Sequence, residues 1–280
     1  MVRYFIYITF LILSADLLQA QPVIICGNAP SYAGEELVFY TLADHISQTE
    51  KELKRCKIDS SGDFHLEIQA VETMQVYANL GIYKAILWIE PHQEYRVVLP
   101  EKEEKTTQEL LNPFFEPLEI HLGLENFRED ELNVLIMMFN DAYNPYYNKH
   151  VNDIYLKSQP GRIDDDIEQI EKIFGKYSNP FFEAYRQYSY GQLKLLAYSQ
   201  KVKSLSQEYF TGKPVLYSHP AYMDLFDQVY EKYFTFFART ETGGKMYDDI
   251  NHRKCYSSLL QTLSADSNIL GDTLREMVIL

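Results

Sequence analysis

Cysteine is scarce in this sequence. The 280 residues include three cysteines, so any pairing leaves at least one thiol over. Cys26, Cys56 and Cys255 form no C-x-x-C pair, and no cluster of histidine and cysteine has zinc-ligand spacing. Cys26 and Cys56 fall in predicted strands, where a disulfide is one interpretation and free packed thiols, which we favour, are the other. The sequence therefore excludes a small disulfide-stapled domain and predicts no redox centre of its own.

Basic residues are also few. The 26 Lys and Arg are outnumbered by 40 Asp and Glu, which gives a formal net charge of −14. A negative surface repels phosphate backbones and anionic headgroups, so the sequence argues against partners of either kind. We expect no binding to nucleic acid.

Long apolar runs are lacking outside the first twenty residues. Arg3 precedes a ten-residue apolar stretch, residues 4–13, and a more polar segment ends at Ala20. This layout is typical of a secretory signal peptide that is cleaved between Ala20 and Gln21. A membrane anchor, the alternative, needs about twenty apolar residues, and Asp16 interrupts the run too early. We expect an exported protein with no stable membrane span after cleavage.

Catalytic signatures are absent too. The seven histidines fall in no metal-binding spacing, and the sequence has no G-x-S-x-G elbow, P-loop or G-x-G-x-x-G loop. Three consecutive acids at residues 164–166 suit either a cation or the first turn of a helix, and we favour the helix. The sequence predicts no catalytic, cofactor-binding or metal-ligating residue, and no cofactor.

Aromatic residues, by contrast, are abundant, and 46% of the residues are hydrophobic, as in globular proteins with a substantial core. Residues 21–100 read as short strands separated by turns. Phe64, Leu66 and Ile68 alternate with polar residues, and residues 54–68 are typical of a hairpin in which Gly62 supplies a positive φ. This half is predicted to be an antiparallel β-sandwich.

From residue 129 the hydrophobic period becomes that of a helix. Leu132, Leu135 and Phe139 share one predicted helical face, and Pro145 is expected to kink or end that helix. Further helices are predicted from residue 163, from Pro180 and over 220–239. We therefore predict an α+β fold, in which the sandwich of residues 21–100 is followed by an all-helical domain of residues 129–280.

Residues 101–128 between the two halves are predicted to be a charged linker and docking segment. Phe114 and Phe115 follow the charged run on a stretch with no periodic face. They are predicted either to dock against another surface or to take part in ordinary packing. The chain stops within a predicted helix at four apolar residues, and natural ends are usually polar. Met277, Ile279 and Leu280 are therefore expected to mark an interface where a further domain continues.

An aromatic stripe on the predicted helix 220–239 has two interpretations. Tyr222, Phe226, Tyr233 and Phe237 recur at helical spacing, which suits a groove for glycan or peptide as well as a buried face. We favour the buried face. Exposed rings that line a pocket would favour the groove.

Four stretches together carry a family resemblance. They are residues 27–34 (Gly-Asn-Ala-Pro-Ser-Tyr-Ala-Gly), 59–64 (Asp-Ser-Ser-Gly-Asp-Phe), 111–117 (Leu-Asn-Pro-Phe-Phe-Glu-Pro) and 247–251 (Tyr-Asp-Asp-Ile-Asn). Nearly the whole chain after residue 20 resembles the N-terminal region of exported TlpA-like thioredoxin-fold proteins of Gram-negative bacteria. The resemblance implies a sandwich and a helical segment placed before a C-terminal redoxin domain, in the periplasm or cell envelope. The redoxin domain is missing from this chain, so no catalytic residue is carried over.

The first functional hypothesis is accordingly a non-catalytic cell-envelope module, a scaffold that docks a protein partner or the missing redoxin domain of a thiol–disulfide oxidoreductase-related protein. The alternative is a periplasmic or surface protein that binds glycan or peptide through its helical half. Metal-independent hydrolysis by a carboxylate pair ranks last, because no spacing among the acids selects a pair.

Overall fold

The computed structural model describes residues 21–157, 163–197, 202–266 and 268–280. The expected signal peptide, up to Ala20, lies outside these residues, and Gln21 opens the first strand. The described chain divides into two compact units. Unit 1 comprises residues 21–43 and 50–133, and unit 2 comprises residues 44–49 and 134–280.

The predicted α+β class is confirmed, with the strands N-terminal to the main helices. The strands are β1 (Gln21–Asn28), β2 (Glu36–Asp44), β3 (Thr49–Lys57), β4 (Asp63–Ala70), β5 (Met74–Leu80), β6 (Tyr83–Ile89), β7 (Glu94–Val98), β8 (Leu118–His121) and β9 (Gly123–Leu124). A short helix, α1 (Thr107–Leu111), precedes β8. Residues 101–128, expected as a linker, thus contribute one helix and two strands.

The strands form two sheets with the orders β4-β1-β7-β9 and β3-β2-β5-β6-β8. Both sheets are mixed rather than purely antiparallel as predicted, because β1 pairs parallel with β7 and β6 pairs parallel with β8. Parallel partners need a crossover connection. In each case other elements lie between the two paired strands in the chain, and no local sequence pattern predicts such a pairing.

The predicted hairpin of residues 54–68 is wrong. β3 lies in the five-stranded sheet and β4 in the four-stranded one, so the turn between them is a corner between sheets. β4 pairs with β1 instead, with Ile25 opposite Leu66. The predicted details hold nonetheless: inward and outward residues alternate along β4, and Gly62 has a φ of 91°.

One core lies between the two sheets. It takes fully buried residues from each, including Val23 and Ile25 of β1, Leu37 and Phe39 of β2, and Leu87 of β6. Each strand therefore turns one set of side chains towards the other sheet, which is the packing of a β-sandwich.

The main helices are α2 (Leu132–Lys157), α3 (Ile163–Phe174), α4 (Pro180–Ala197), α5 (Val202–Tyr209), α6 (Pro220–Tyr230), α7 (Tyr233–Phe237), α8 (Met246–Asp248), α9 (Tyr256–Leu263) and α10 (Asp272–Ile279). A π-helical turn, Asp249–Arg253, follows α8. No described helix is both long and apolar enough to cross a bilayer.

The structure decides two helix boundaries. Of the two outcomes predicted at Pro145, a kink or an end, the end is excluded because α2 continues to Lys157. A proline inside a helix removes one backbone hydrogen bond and crowds the preceding turn, but Tyr143 and His150 on either side of it are buried, so packing offsets this cost. The helix predicted over 220–239 ends at Tyr230 and resumes as α7.

The aromatic stripe belongs to the core of unit 2. Tyr222, Phe226 and Phe237 are at most 5% exposed, and Tyr233 is half-buried. Tyr222 contacts Tyr188 and Phe210 edge-on, with ring centroids 4.9 and 5.1 Å apart. The preferred interpretation, a buried helix face, is confirmed for Tyr222, Phe226 and Phe237, whose rings are not available to line a groove.

Candidate functional site

Unit 1 carries a run of exposed apolar side chains on residues 110–118, which we call the apolar segment. Leu110, Leu111, Phe114 and Leu118 are 69, 78, 87 and 60% exposed. Isolated exposed apolar residues are common on protein surfaces, whereas contiguous apolar patches mark interaction sites, so we take these four neighbours in sequence as the candidate site. The segment includes Phe114, one of the residues predicted to dock.

The backbone of the apolar segment is well anchored. α1 begins with a capping box, in which the Thr106 N–H donates to the Glu109 carboxylate (2.7 Å) and the Glu109 N–H donates to Thr106 Oγ1 (3.3 Å). The Asn112 side chain accepts from the Phe114 N–H (3.0 Å), and the Leu118 N–H donates to the Ile82 carbonyl (2.9 Å). The exposed side chains therefore project from an ordered backbone.

The two predicted phenylalanines differ in their surroundings. Phe115 is half-buried, and the Lys105 ammonium lies 4.4 Å from the centroid of its ring. Phe114 has no such cover. Of the pair, Phe114 is the residue that can contact a partner with its whole ring.

The predicted C-terminal interface is largely interior to unit 2. Met277 is 6% exposed and packs in the core around α6, and Ile279 is half-buried against a cluster that includes Leu259 and Leu263. Leu280 is 83% exposed. Met277 is thus corrected to a core residue, because one face of α10 packs inward. Leu280 stays a predicted contact.

A second feature of unit 1 is a cleft of about 230 Å³ that the sequence did not predict. Its polar lining consists of Tyr32, Glu35, Glu36, Asn79, Gly81, Lys102 and Glu104, and its apolar lining consists of Leu37, Ile58 and Leu80. We call this the Lys102 cleft. The Lys102 ammonium lies 2.5 Å from the Glu35 carboxylate and 3.1 Å from that of Glu104.

Glycine at position 81 allows the cleft to form. Gly81 lies in the turn between β5 and β6 with a φ of 59°, and a Cβ there would lie 1.8 Å from the Glu103 carbonyl oxygen. The chain around Glu103 can therefore pack directly on this turn, where the Ile82 N–H donates to the Glu103 carbonyl (3.2 Å). This close approach places the neighbouring Lys102 in the cleft.

Ionisable groups around the cleft have shifted pKa values. The hydrogen bond from Lys102 to Glu35 raises the pKa of the ammonium and keeps it protonated. Burial raises the pKa of Tyr32, with a further contribution from Glu35. A hydrogen bond to Glu103 (2.8 Å) raises the pKa of Tyr83. Both phenols are therefore neutral at physiological pH.

Unit 2 has a larger cavity of about 380 Å³ beside the π-helical turn, lined by Lys245, Arg253, Ser258 and Thr262 among others. The neighbouring Asp249 is buried, and its carboxylate accepts from the hydroxyls of Ser258 (2.5 Å) and Thr262 (2.6 Å). These bonds lower the pKa of Asp249. The carboxylate is satisfied from within unit 2, so we interpret it as structural.

Among the described residues, no group of three or more His, Cys, Asp or Glu side chains could hold a metal ion. The cysteines are free, with Cys26 and Cys56 half-buried and Cys255 exposed. Burial raises the thiol pKa of both Cys26 and Cys56, which disfavours the nucleophilic thiolate.

The sequence pointed to Phe114 but missed the cleft. Residues 101–128 are predicted to be a charged linker and docking segment, and the mixture of acids and lysines at residues 101–105 is the local signal at the cleft. Comparison of the chain with protein-family models, curated proteins and solved structures finds no match.

Proposed function

We propose that this chain is a non-catalytic module of the cell envelope that binds a protein partner through the apolar segment. The observation that carries the proposal is the exposure of Leu110, Leu111, Phe114 and Leu118 on an anchored backbone. A few well-packed residues near the centre of an interface supply most of its binding energy, and large aromatic side chains are prominent among them. Phe114, at 87% exposure, is the expected anchor.

The charges around the apolar segment indicate what kind of partner would bind there. Between Thr106 and Glu119 the sequence has three acids, Glu109, Glu116 and Glu119, and no base. A partner with an apolar pocket rimmed by Lys or Arg complements this pattern. The resemblance to TlpA-like proteins supports a thioredoxin-fold domain as that partner, either in the same polypeptide or as a separate protein. The cell-envelope assignment rests on the signal-like residues 1–20 and on the same resemblance.

A photo-crosslinking residue at position 114 tests this proposal in the producing cell. The matched control carries the same residue at Gln69, an outward position of β4. We expect a crosslink to a thioredoxin-fold protein from position 114 and none from position 69. Phe114→Ala should then weaken binding between the purified proteins by about tenfold or more. Crosslinks that are identical from both positions, or a purified pair that binds Phe114→Ala equally well, would overturn it.

The non-catalytic part of the proposal has its own test. We expect the purified chain to show no disulfide reductase turnover with insulin as substrate. Sequencing of the mature N-terminus from the envelope fraction should begin at Gln21. Turnover that is lost when the three cysteines are replaced by serine would contradict the assignment as a module without its own chemistry, because disulfide reduction requires a thiolate.

A further inference from the structure

We propose that the Lys102 cleft binds a small organic cation, an alkylammonium group with a short aliphatic chain. The proposal is independent of the docking role given to the apolar segment. It rests on three observations: the charge of the lining, an unsatisfied buried hydroxyl, and the apolar floor.

Hydrogen-bond acceptors outnumber donors in the cleft. Three carboxylates line it against one ammonium, that of Lys102. Glu36 also pairs with Arg55 at 3.2 Å, but both side chains are more than half exposed and the pair is screened by water. Lys102 contacts one oxygen each of Glu35 and Glu104, which leaves acceptor oxygens at the cleft. A ligand that brings N–H donors and positive charge suits this lining.

Tyr32 supplies the second observation. The residue is 3% exposed and belongs to the lining of the cleft, and its hydroxyl has no hydrogen-bond partner among the described residues. Its backbone is fixed by the 3₁₀ turn Pro30–Tyr32, in which the Tyr32 N–H donates to the Ala29 carbonyl (3.0 Å). Buried hydroxyls are normally satisfied. A bound ammonium that donates to Tyr32 Oη would give this oxygen a hydrogen-bond partner as an acceptor.

The floor of the cleft explains why the cation is organic. Leu37, Ile58 and Leu80 are the aliphatic residues that line the cleft beside the carboxylates. Such a floor can contact the methylene groups of an alkyl chain, whereas a hydrated metal ion gains nothing from it. The cleft is small compared with typical pockets for drug-sized ligands, so it fits an aliphatic amine rather than a large cofactor.

Replacement of Lys102 distinguishes a bound cation from a bound anion. Its ammonium competes for the same carboxylates, so Lys102→Met should strengthen binding of a cation by at least about threefold. The same substitution would weaken binding of an anion. Glu35→Gln should weaken cation binding by about tenfold, because it removes a charged acceptor.

The experiment titrates the protein with n-butylammonium, with n-butanol and butyrate as the neutral and anionic probes of similar shape. Backbone amide chemical shifts are followed by NMR. We expect the amides of Asn79, Gly81 and Glu104 to shift and saturate with n-butylammonium alone. Glu67→Gln, at an exposed carboxylate of β4, serves as the matched control and should bind like the unaltered protein. Saturation by butyrate, loss of binding in Lys102→Met, or no shift with n-butylammonium would each overturn the proposal.

Tyr32→Phe separates a ligand contact from a structural role. Because the hydroxyl has no partner in the free protein, its removal should leave stability unchanged or raise it, while n-butylammonium binding weakens by about fivefold. A loss of stability together with unchanged binding would show that the hydroxyl is satisfied in the free protein and does not serve the ligand.

Discussion

The side chain of Asn133 pairs with both backbone groups of Trp88. Its oxygen accepts from the Trp88 N–H at 2.7 Å, and its amide donates to the Trp88 carbonyl at 2.8 Å. β8 has ended by this point, since its register with β6 stops where Ile86 faces His121. Asn133 is 6% exposed and lies at the start of α2. Its side chain therefore makes the hydrogen bonds at the edge of β6 beyond the end of β8.

We predict that Asn133→Ala destabilises unit 1 markedly. The substitution withdraws both bonds from a buried strand edge, at about 1–3 kcal/mol for each group left unsatisfied. Asn126 is the matched control: it makes the same pair of bonds to the Arg96 N–H (2.9 Å) and the Glu94 carbonyl (2.8 Å), but at an exposed position. Water can replace it there, so Asn126→Ala should lose less than about 1 kcal/mol.

Urea denaturation followed by tryptophan fluorescence measures both variants. Trp88 is the one tryptophan of the sequence, so its emission reports on unit 1. Equal losses of stability in the two variants would show that the buried hydrogen bonds of Asn133 contribute no more to stability than the exposed ones of Asn126.

Gly81→Ala should destabilise unit 1 and open the Lys102 cleft. An alanine here meets both the positive φ and the Glu103 carbonyl oxygen, so the chain around Glu103 has to move. Gly34→Ala is the control, because Gly34 also has a positive φ (88°) but no atom within 4 Å of an added Cβ. Gly34→Ala should lose about 1–2 kcal/mol from backbone strain alone, and Gly81→Ala clearly more. The same urea titration compares them, and similar losses would contradict the close approach at Gly81.

Unit 2 should lose stability as the pH falls below neutral. Burial lowers the pKa of His219 and of His45 from the value of about 6.5 that they have in the unfolded chain. Below this value the unfolded chain binds protons that the folded unit does not, so the free energy of unfolding decreases as the pH drops through about 6.5. Above it both states are neutral, and these histidines add no pH dependence.

His219→Gln tests the assignment of this effect. The variant should show a smaller decrease in the melting temperature of unit 2 between about pH 7.5 and about pH 5.5 than the unaltered protein. His252→Gln, at an exposed position, is the control and should retain the full decrease. If the His219 variant keeps the full decrease, another group is responsible for it.

The three thiols should react at different rates with Ellman's reagent. Cys255 is exposed and should react first, whereas burial raises the pKa of Cys26 and Cys56 and slows both. Cys255→Ser should remove the fast phase and leave the slow ones. In denaturant without reductant all three thiols should titrate. A single thiol per chain in that measurement would instead show that Cys26 and Cys56 are paired.

Much of the local structure could be predicted from the sequence, because hydrophobic periodicity is a property of neighbouring residues. The alternation along β4 correctly predicted which side chains face the core, and the helical spacing of Leu132, Leu135 and Phe139 correctly predicted the buried face of α2. Gly62 was assigned its positive φ on the composition of its turn. Phe114 and Phe115 lack a periodic face, which predicts either docking or ordinary packing; Phe114 is exposed, whereas Phe115 is half-buried.

Pairing between distant strands could not be predicted in this way. β3 and β4 are consecutive and suited to a hairpin, yet they belong to different sheets. The choice depends on contacts between residues far apart in the chain, such as Ile25 with Leu66, and these leave no mark on the local pattern.

By itself, the sequence determined the α+β class, the order of strands before helices and the inward faces of the main elements, because each follows from the spacing of apolar residues along the chain. Only the tertiary structure decided that Asn133 pairs with Trp88 and that Lys102 meets Glu35 and Tyr32 in one cleft. The physical reason is that the groups in each contact are separated by tens of residues in the chain. They come together when both sheets pack over a common core. At the cleft, Gly81 also allows the backbone of Glu103 to approach closely.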